Sequence, residues 1–177
     1  VRDPRNVVTS ISNHFTFSIE ESLKFMLSGS VIGNKKSYEE SLKDKESRIL
    51  TLLGKWNDHY RSWTRDKQNL LLIKYEDLIN NTENELQRII NFLSKYLKFE
   101  TNEGKNKNII QTTNFKNLQN LEKEKGFKEA VQNKYTDDKI RFFHLGPANK
   151  WENYLDKNTV DLIEKNFYDE MKELKYL

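Results

Sequence analysis

The stretch Val1-Arg-Asp-Pro-Arg-Asn-Val-Val-Thr-Ser-Ile-Ser-Asn-His-Phe15 constrains this chain most, because it fixes a strand end, a helix start and two helix faces in a few turns. Val1 and Arg2 read as the tail of a strand. Asp3 reads as a helix N-cap and Pro4 as the first helical residue, where its missing N–H costs nothing. Val7, Val8, Ile11 and Phe15 form an apolar stripe at helical spacing, while Asp3, Asn6, Ser10 and Asn13 fall on another face at steps of three and four. One side of this helix packs and the other is polar.

An arginine at a strand end and a hydroxyl two turns into the next helix can together hold an anion. The helix N-terminus adds partial positive charge and the guanidinium supplies paired donors, so phosphate is the obvious ligand for Arg2 and Ser10. The same residues also fit a plainer arrangement, in which Arg2 pairs with a carboxylate and the polar stripe is solvated.

The remaining composition narrows the class. At 177 residues the chain has single-domain length and can bury a core. Charged residues are 32%, yet 12% aromatic content predicts a globular chain rather than a disordered one. The 30 basic and 27 acidic residues are interspersed, which argues against the clustered basic face of a nucleic-acid binder. Cysteine is absent, removing disulfides and thiolate metal sites, and the histidines at 14, 59 and 144 are too scattered to predict a metal site. No apolar run approaches the ~20 residues that span a bilayer, and no signal peptide opens the chain. A soluble, cytoplasmic protein is the expectation. Because Val1 enters at a strand end, the chain is expected to be the rear portion of a longer polypeptide.

Further along, Ser18 and Glu21 form a capping box before a short helix over Phe17 to Leu27. Ser28-Gly-Ser and Gly33-Asn-Lys-Lys-Ser read as loop. Ile49, Leu52, Leu53, Trp56, Tyr60 and Trp63 predict an amphipathic helix from about 43 to 65 with an aromatic core stripe, His59 beside it being structural or surface. Asn69-Leu-Leu-Leu-Ile-Lys-Tyr75 is a short apolar run that predicts a parallel strand buried on both faces. Tyr75 at its C-terminal end either touches a ligand or packs under the next helix. Thr82-Glu-Asn-Glu85 reads as a second capping box, opening a helix with Leu86, Ile89, Ile90, Leu93 and Leu97 inward. Thr113 and Phe115 offer a hydroxyl and a ring face, a pair that suits a purine base. Residues 122–139 are polar and read as a lid or a plain loop. A final helix is expected over about 158–174, with Val160, Ile163, Phe167, Met171 and Leu174 on one face.

Four segments in order, Arg2 to Ser10, Tyr75 to Leu78, Thr113 to Phe115 and Gly146 to Trp151, together resemble the sulfotransferase family that uses 3′-phosphoadenosine 5′-phosphosulfate (PAPS). The resemblance implies an α/β fold related to P-loop kinases, with residues 1–177 forming the helix-rich C-terminal part of a single domain that is incomplete at its N-terminal side and holds few strands. It implies that Arg2 and Ser10 bind the 3′-phosphate and that Tyr75, Thr113 and Phe115 surround the adenine. His144, Leu145 and Gly146 then occupy the second phosphate-binding loop, where the family carries arginine, lysine and glycine. Gly146 and Trp151 keep the family spacing, but a guanidinium is replaced by the imidazole of His144, and Arg141 and Lys150 are the neighbouring cations that can compensate.

The implied reaction moves a sulfuryl group from PAPS to a hydroxyl or amine of a small-molecule, lipid or carbohydrate acceptor, without a metal. Neither the phosphosulfate loop nor the catalytic base is visible: no G-x-x-x-x-G-K-[ST] occurs, both are expected before Val1, and His14 does not match the family's catalytic position. The family's lysine-threonine-valine-glutamate dimer pattern is out of register after Trp151, so no dimer by that route is expected. A P-loop small-molecule kinase and a non-catalytic helical interaction module are the alternatives.

Overall fold

The computed structural model describes residues 1–32, 51–66, 68–133, 135–136 and 138–177. The opening stretch folds as its residues dictate. Helix α1 runs Pro4–Phe15, with Pro4 in its first turn and the Asp3 carboxylate accepting the Arg5 N–H at 2.9 Å. Ser18 caps α2 (Ile19–Ser28) in a reciprocal box, Glu21 N–H to Ser18 Oγ and Ser18 N–H to Glu21 Oε2.

Strands β1 (Ser30–Ile32) and β2 (Thr51–Leu53) pair antiparallel, Ser30 opposite Leu53. The helix expected over 43–65 is therefore shorter: residues 43–50 lie outside the described residues, as do Gly33 to Ser37, and α3 spans Trp56–Thr64. Leu52 and Leu53 keep helical spacing to Trp56, but Gly54 lowers the helical propensity between them and cross-strand pairing wins. The aromatic stripe is only partly core. Tyr60 is buried, whereas Trp63 is exposed and donates through Nε1 to the exposed His59 at 3.3 Å.

The apolar run at 69–75 is extended but is not a laddered strand. Val1 N donates to Ile73 O at 2.7 Å and Tyr75 N to Val1 O at 2.8 Å, the bond pattern of a parallel pair between Val1 and Lys74. Among the described residues the run makes these two backbone bonds to Val1, and the Leu72 carbonyl accepts from Arg88 Nη2 at 3.2 Å; Leu72 stays exposed and its neighbours half-buried. Helix α4 (Tyr75–Asn80) follows at once, then α5 (Thr82–Leu93). The capping box expected at Thr82 and Glu85 does not form. Thr82 Oγ1 donates back to Leu78 O, Glu85 is buried against Arg88 Nη1 at 2.6 Å, and Leu97 falls beyond the helix end. Helix α4 leads into α5 with only Asn81 between, and the Thr82 hydroxyl is spent on the Leu78 carbonyl behind it rather than on the Glu85 N–H, which bonds the Asn81 carbonyl at 3.0 Å.

Asn102 and Asn114 cap α6 (Glu103–Thr112) and α7 (Phe115–Lys125). The first residues of the supposed lid thus belong to a helix, since Glu122 on α7 is buried. The helix expected over 158–174 is two, α8 (Lys157–Asn166) and α9 (Tyr168–Glu173), interrupted where Phe167 leaves helical geometry at φ −120°, ψ 22°. None of the described helices is long and apolar enough to cross a membrane.

The core joins α1, α2, α8 and α9 through Val8, Leu23, Met26, Ile163, Phe167 and Met171. Phe167 is 1% exposed and its ring lies 5.2 Å from Trp56. Truncating it is expected to cost about 3–5 kcal/mol, by lost burial plus the residual cavity. Urea unfolding of Phe167→Ala measures this directly.

Candidate functional site

Two arginines sit in the opening turn and take opposite roles. Arg5 is buried and committed: its guanidinium holds Asp3 at 2.7 Å, Glu164 at 2.7 Å and the Tyr176 carbonyl at 2.8 Å, and lies 4.4 Å from the Trp151 ring centre. That network ties the helix start to the C-terminal segment. Arg2 meets no carboxylate among the described residues. Its Cζ lies 4.2 Å over the Tyr75 ring, Nη2 donates to Gly146 O at 3.0 Å, and Nε is buried without a partner. A buried guanidinium N–H left unpaired is costly, so it marks a place where an acceptor belongs.

Arg2 borders a cavity of about 610 Å³. The eight residues that the resemblance assigns to the nucleotide all line it: Arg2, Ser10, Tyr75, Thr113, Phe115, His144, Leu145 and Gly146. They arrive from four places in the chain: α1 with the residue just before its N-cap, the start of α4, the α6–α7 junction and the loop before Trp151. Tyr75 both touches the cavity and stacks on Arg2, and burial pushes its phenol above the usual value despite the opposing arginine charge. Thr113 Oγ1 donates to Ile109 O at 2.7 Å, leaving its lone pairs free to accept.

Gly146 has no room for a side chain. Its φ is +51°, and a Cβ there would stand 2.2 Å from Phe115 Cε2. The close approach of these two residues brings the Phe115 ring over the loop that Arg2 grips through the Gly146 carbonyl.

The loop is held from the far side by α7. Buried Glu122 accepts Phe142 N–H at 2.7 Å and Phe143 N–H at 3.0 Å, and one turn earlier Gln119 Nε2 donates to the Phe143 and His144 carbonyls at 3.0 and 2.9 Å. Its other end is docked on α1, where Asn6 Oδ1 accepts Trp151 N–H at 2.9 Å. Phe142, Phe143 and Phe127 pack with ring centres 4.9–5.2 Å apart, and Phe142 meets His14 edge-on at 6.1 Å. Burial pushes the His14 imidazole below its usual pKa, so it is neutral near pH 7.

Neither Arg141 nor Lys150 lines the cavity, which leaves Arg2 as the sole arginine or lysine lining it among the described residues. Thr9, Phe142, Phe143 and Asn149, which no sequence motif marks, also line it. Asn149 carries no local signal, since nothing near it in the chain marks a buried polar side chain. Asn13 was on the polar stripe and is found in the lining with Ser10.

The sulfotransferase domain model matches residues 1–175. Sulfotransferase 2A1 of Homo sapiens is 26% identical over 176 residues, covering 98% of this chain and 55% of the relative. The 3-beta-hydroxysteroid sulfotransferase of Cavia porcellus is 24% identical, covering 97% and 54%, and cytosolic sulfotransferase 17 of Arabidopsis thaliana is 25% identical, covering 99% and 49%. The chain thus spans about half the length of these curated relatives. A crystal structure of mouse sulfotransferase SULT7A1 complexed with PAP superposes with a TM-score of 0.63 at 21% identity, over 97% of this chain and 56% of that one, and establishes the shared α/β fold. With nearly every residue inside the domain match and the described helices arranged as in that fold, the chain belongs to the sulfotransferase family.

Proposed function

We propose that this chain forms the 3′-phosphate and adenine side of a PAPS site, in a protein that transfers the sulfuryl group to a hydroxyl or amine of a small-molecule acceptor. One observation carries the reading: Arg2, which meets no carboxylate among the described residues and whose Nε is buried without a partner, borders a cavity that also gathers Ser10, Tyr75, Thr113 and Phe115. The guanidinium suits a phosphate because it offers paired donors in a fixed plane. Phe115 and Tyr75 supply ring faces for a purine, and the Thr113 hydroxyl accepts from its amino group. PAPS supplies the sulfuryl group and a good leaving group; this side of the site binds and orients the nucleotide that carries them.

Support also comes from the relatives, whose names place steroid and cytosolic sulfotransferases among them, and from the structural neighbour, which is complexed with PAP. A hydroxylated apolar acceptor agrees with the aromatic end of the cavity at Phe142, Phe143 and His14. A cytoplasmic setting follows the same relatives.

The test is thermal unfolding of the protein that carries this chain, with adenosine 3′,5′-bisphosphate or with ATP and Mg²⁺. At a hundredfold excess over the dissociation constant, the bisphosphate is expected to add about 2.7 kcal/mol. Stabilisation by ATP and Mg²⁺ alone would instead support a kinase and overturn the sulfotransferase reading.

A further inference from the structure

Asn149 is a buried polar residue at 5% exposure, and it lines the cavity beside Ser10. Its amide nitrogen donates to Asn6 O at 3.1 Å and to Ser10 Oγ at 3.2 Å, while its Oδ1 accepts the Thr9 hydroxyl at 2.8 Å. The bond to a carbonyl fixes which end of the side chain is nitrogen, because only a donor can face Asn6 O.

The Asn6 carbonyl is over-subscribed. Two side-chain donors reach it, Ser10 Oγ at 3.0 Å and Asn149 Nδ2 at 3.1 Å, and the single Thr9 proton, 2.8 Å from both Asn6 O and Asn149 Oδ1, goes to Asn149. A carbonyl oxygen has two lone pairs, and inside a helix one already serves the amide four residues on. The Ser10 proton can therefore turn away without leaving that carbonyl unpaired. Asn149 meanwhile occupies one of the two lone pairs on Ser10 Oγ, which favours presenting the proton, rather than that lone pair, to a ligand.

We propose that Asn149 is a positioning residue of the anion site, one that makes the Ser10 hydroxyl a hydrogen-bond donor to a phosphate group in the cavity. The relay runs Asn149 N–H to Ser10 Oγ and Ser10 O–H to the phosphate oxygen, each bond polarising the next. It also accounts for an asparagine at the end of a loop that offers no arginine or lysine to the cavity: the loop contributes by orienting a neutral donor on α1. The inference rests on the nucleotide reading above and adds a residue that neither its chain neighbours nor its spacing marks.

The experiment compares dissociation constants for adenosine 3′,5′-bisphosphate and for adenosine 5′-monophosphate, which lacks the 3′-phosphate, in wild type, Asn149→Ala, Asn149→Asp, Ser10→Ala and Ser10→Ala/Asn149→Ala. Taking the ratio of the two nucleotides cancels any general destabilisation. Asn149→Ala is expected to weaken the bisphosphate about tenfold and the monophosphate less than about twofold, the worth of one well-placed hydrogen bond. Asn149→Asp, almost the same shape, should weaken it more, since its carboxylate accepts the Ser10 proton and repels the phosphate. In the Ser10→Ala background, Asn149→Ala should add less than about twofold, because a residue that acts through Ser10 has nothing left to act on. Equal losses for both nucleotides, or an undiminished loss without Ser10, overturn the role of Asn149. A wild type with no preference for the bisphosphate instead overturns the nucleotide reading itself.

Discussion

Arg2→Ala is expected to weaken binding of adenosine 3′,5′-bisphosphate by roughly 100-fold or more, while the protein itself unfolds at nearly its original temperature. The affinity loss is large because Arg2 is the only arginine or lysine lining the cavity among the described residues, so it carries most of the phosphate's charge-assisted hydrogen bonding there. Charge-assisted hydrogen bonds contribute about 1.5–3 kcal/mol each, and a guanidinium presents two of them in one plane. The effect on folding is small because Arg2 makes one hydrogen bond, to Gly146 O, and one ring contact, to Tyr75, with no ion pair among the described residues. Arg2→Lys separates charge from geometry: the ammonium keeps the attraction but loses the fork and the stacking, so an intermediate affinity is expected. Calorimetric titration of the three proteins decides it, and equal affinities would remove Arg2 from the site.

Gly146→Ala is expected to be the most damaging single methyl group that can be added to this loop. The backbone there has φ +51°, a region that costs an L-residue about 1–2 kcal/mol. The new Cβ would also stand 2.2 Å from the Phe115 ring, a contact relieved only by moving that ring or the loop, and overpacking of this kind costs about 1–3 kcal/mol more. A total of roughly 2–5 kcal/mol is expected if both stay folded in place. Since Phe115 is the easier to displace, the chain is expected to trade part of that cost for nucleotide affinity. Urea unfolding together with bisphosphate titration therefore captures the whole effect, and a variant unchanged in both would contradict the geometry.

The contrast between Arg2 and Arg5 shows where sequence reading stops. Both arginines stand in one turn, and the sequence left open whether Arg2 takes a carboxylate or an anion. The carboxylates went to Arg5, with Asp3 from the same turn and Glu164 from a distant helix, a pairing invisible at the level of spacing. The helix over 43–65 failed for a related reason. Leu52, Leu53 and Trp56 satisfy helical periodicity, but β2 pairs with β1 across a long gap in the chain, and periodicity carries no information on such partners. At Thr82 and Glu85 the capping pattern was present, yet α4 leads directly into α5 and Glu85 turned to Arg88.

The sequence by itself determined what neighbours in the chain can enforce: the Asp3-Pro4 start of α1, the Ser18–Glu21 box, the inward stripe of Ile163, Phe167 and Met171, and the segments that resemble the family. These depend on dihedral preferences and on contacts a few residues apart. Only the tertiary structure decided that Gly146 abuts Phe115, that Glu122 and Gln119 hold the loop, and that Asn149 reaches Ser10. Such contacts link residues 20 to 139 positions apart, where buried polar groups must find partners through the packing of whole elements.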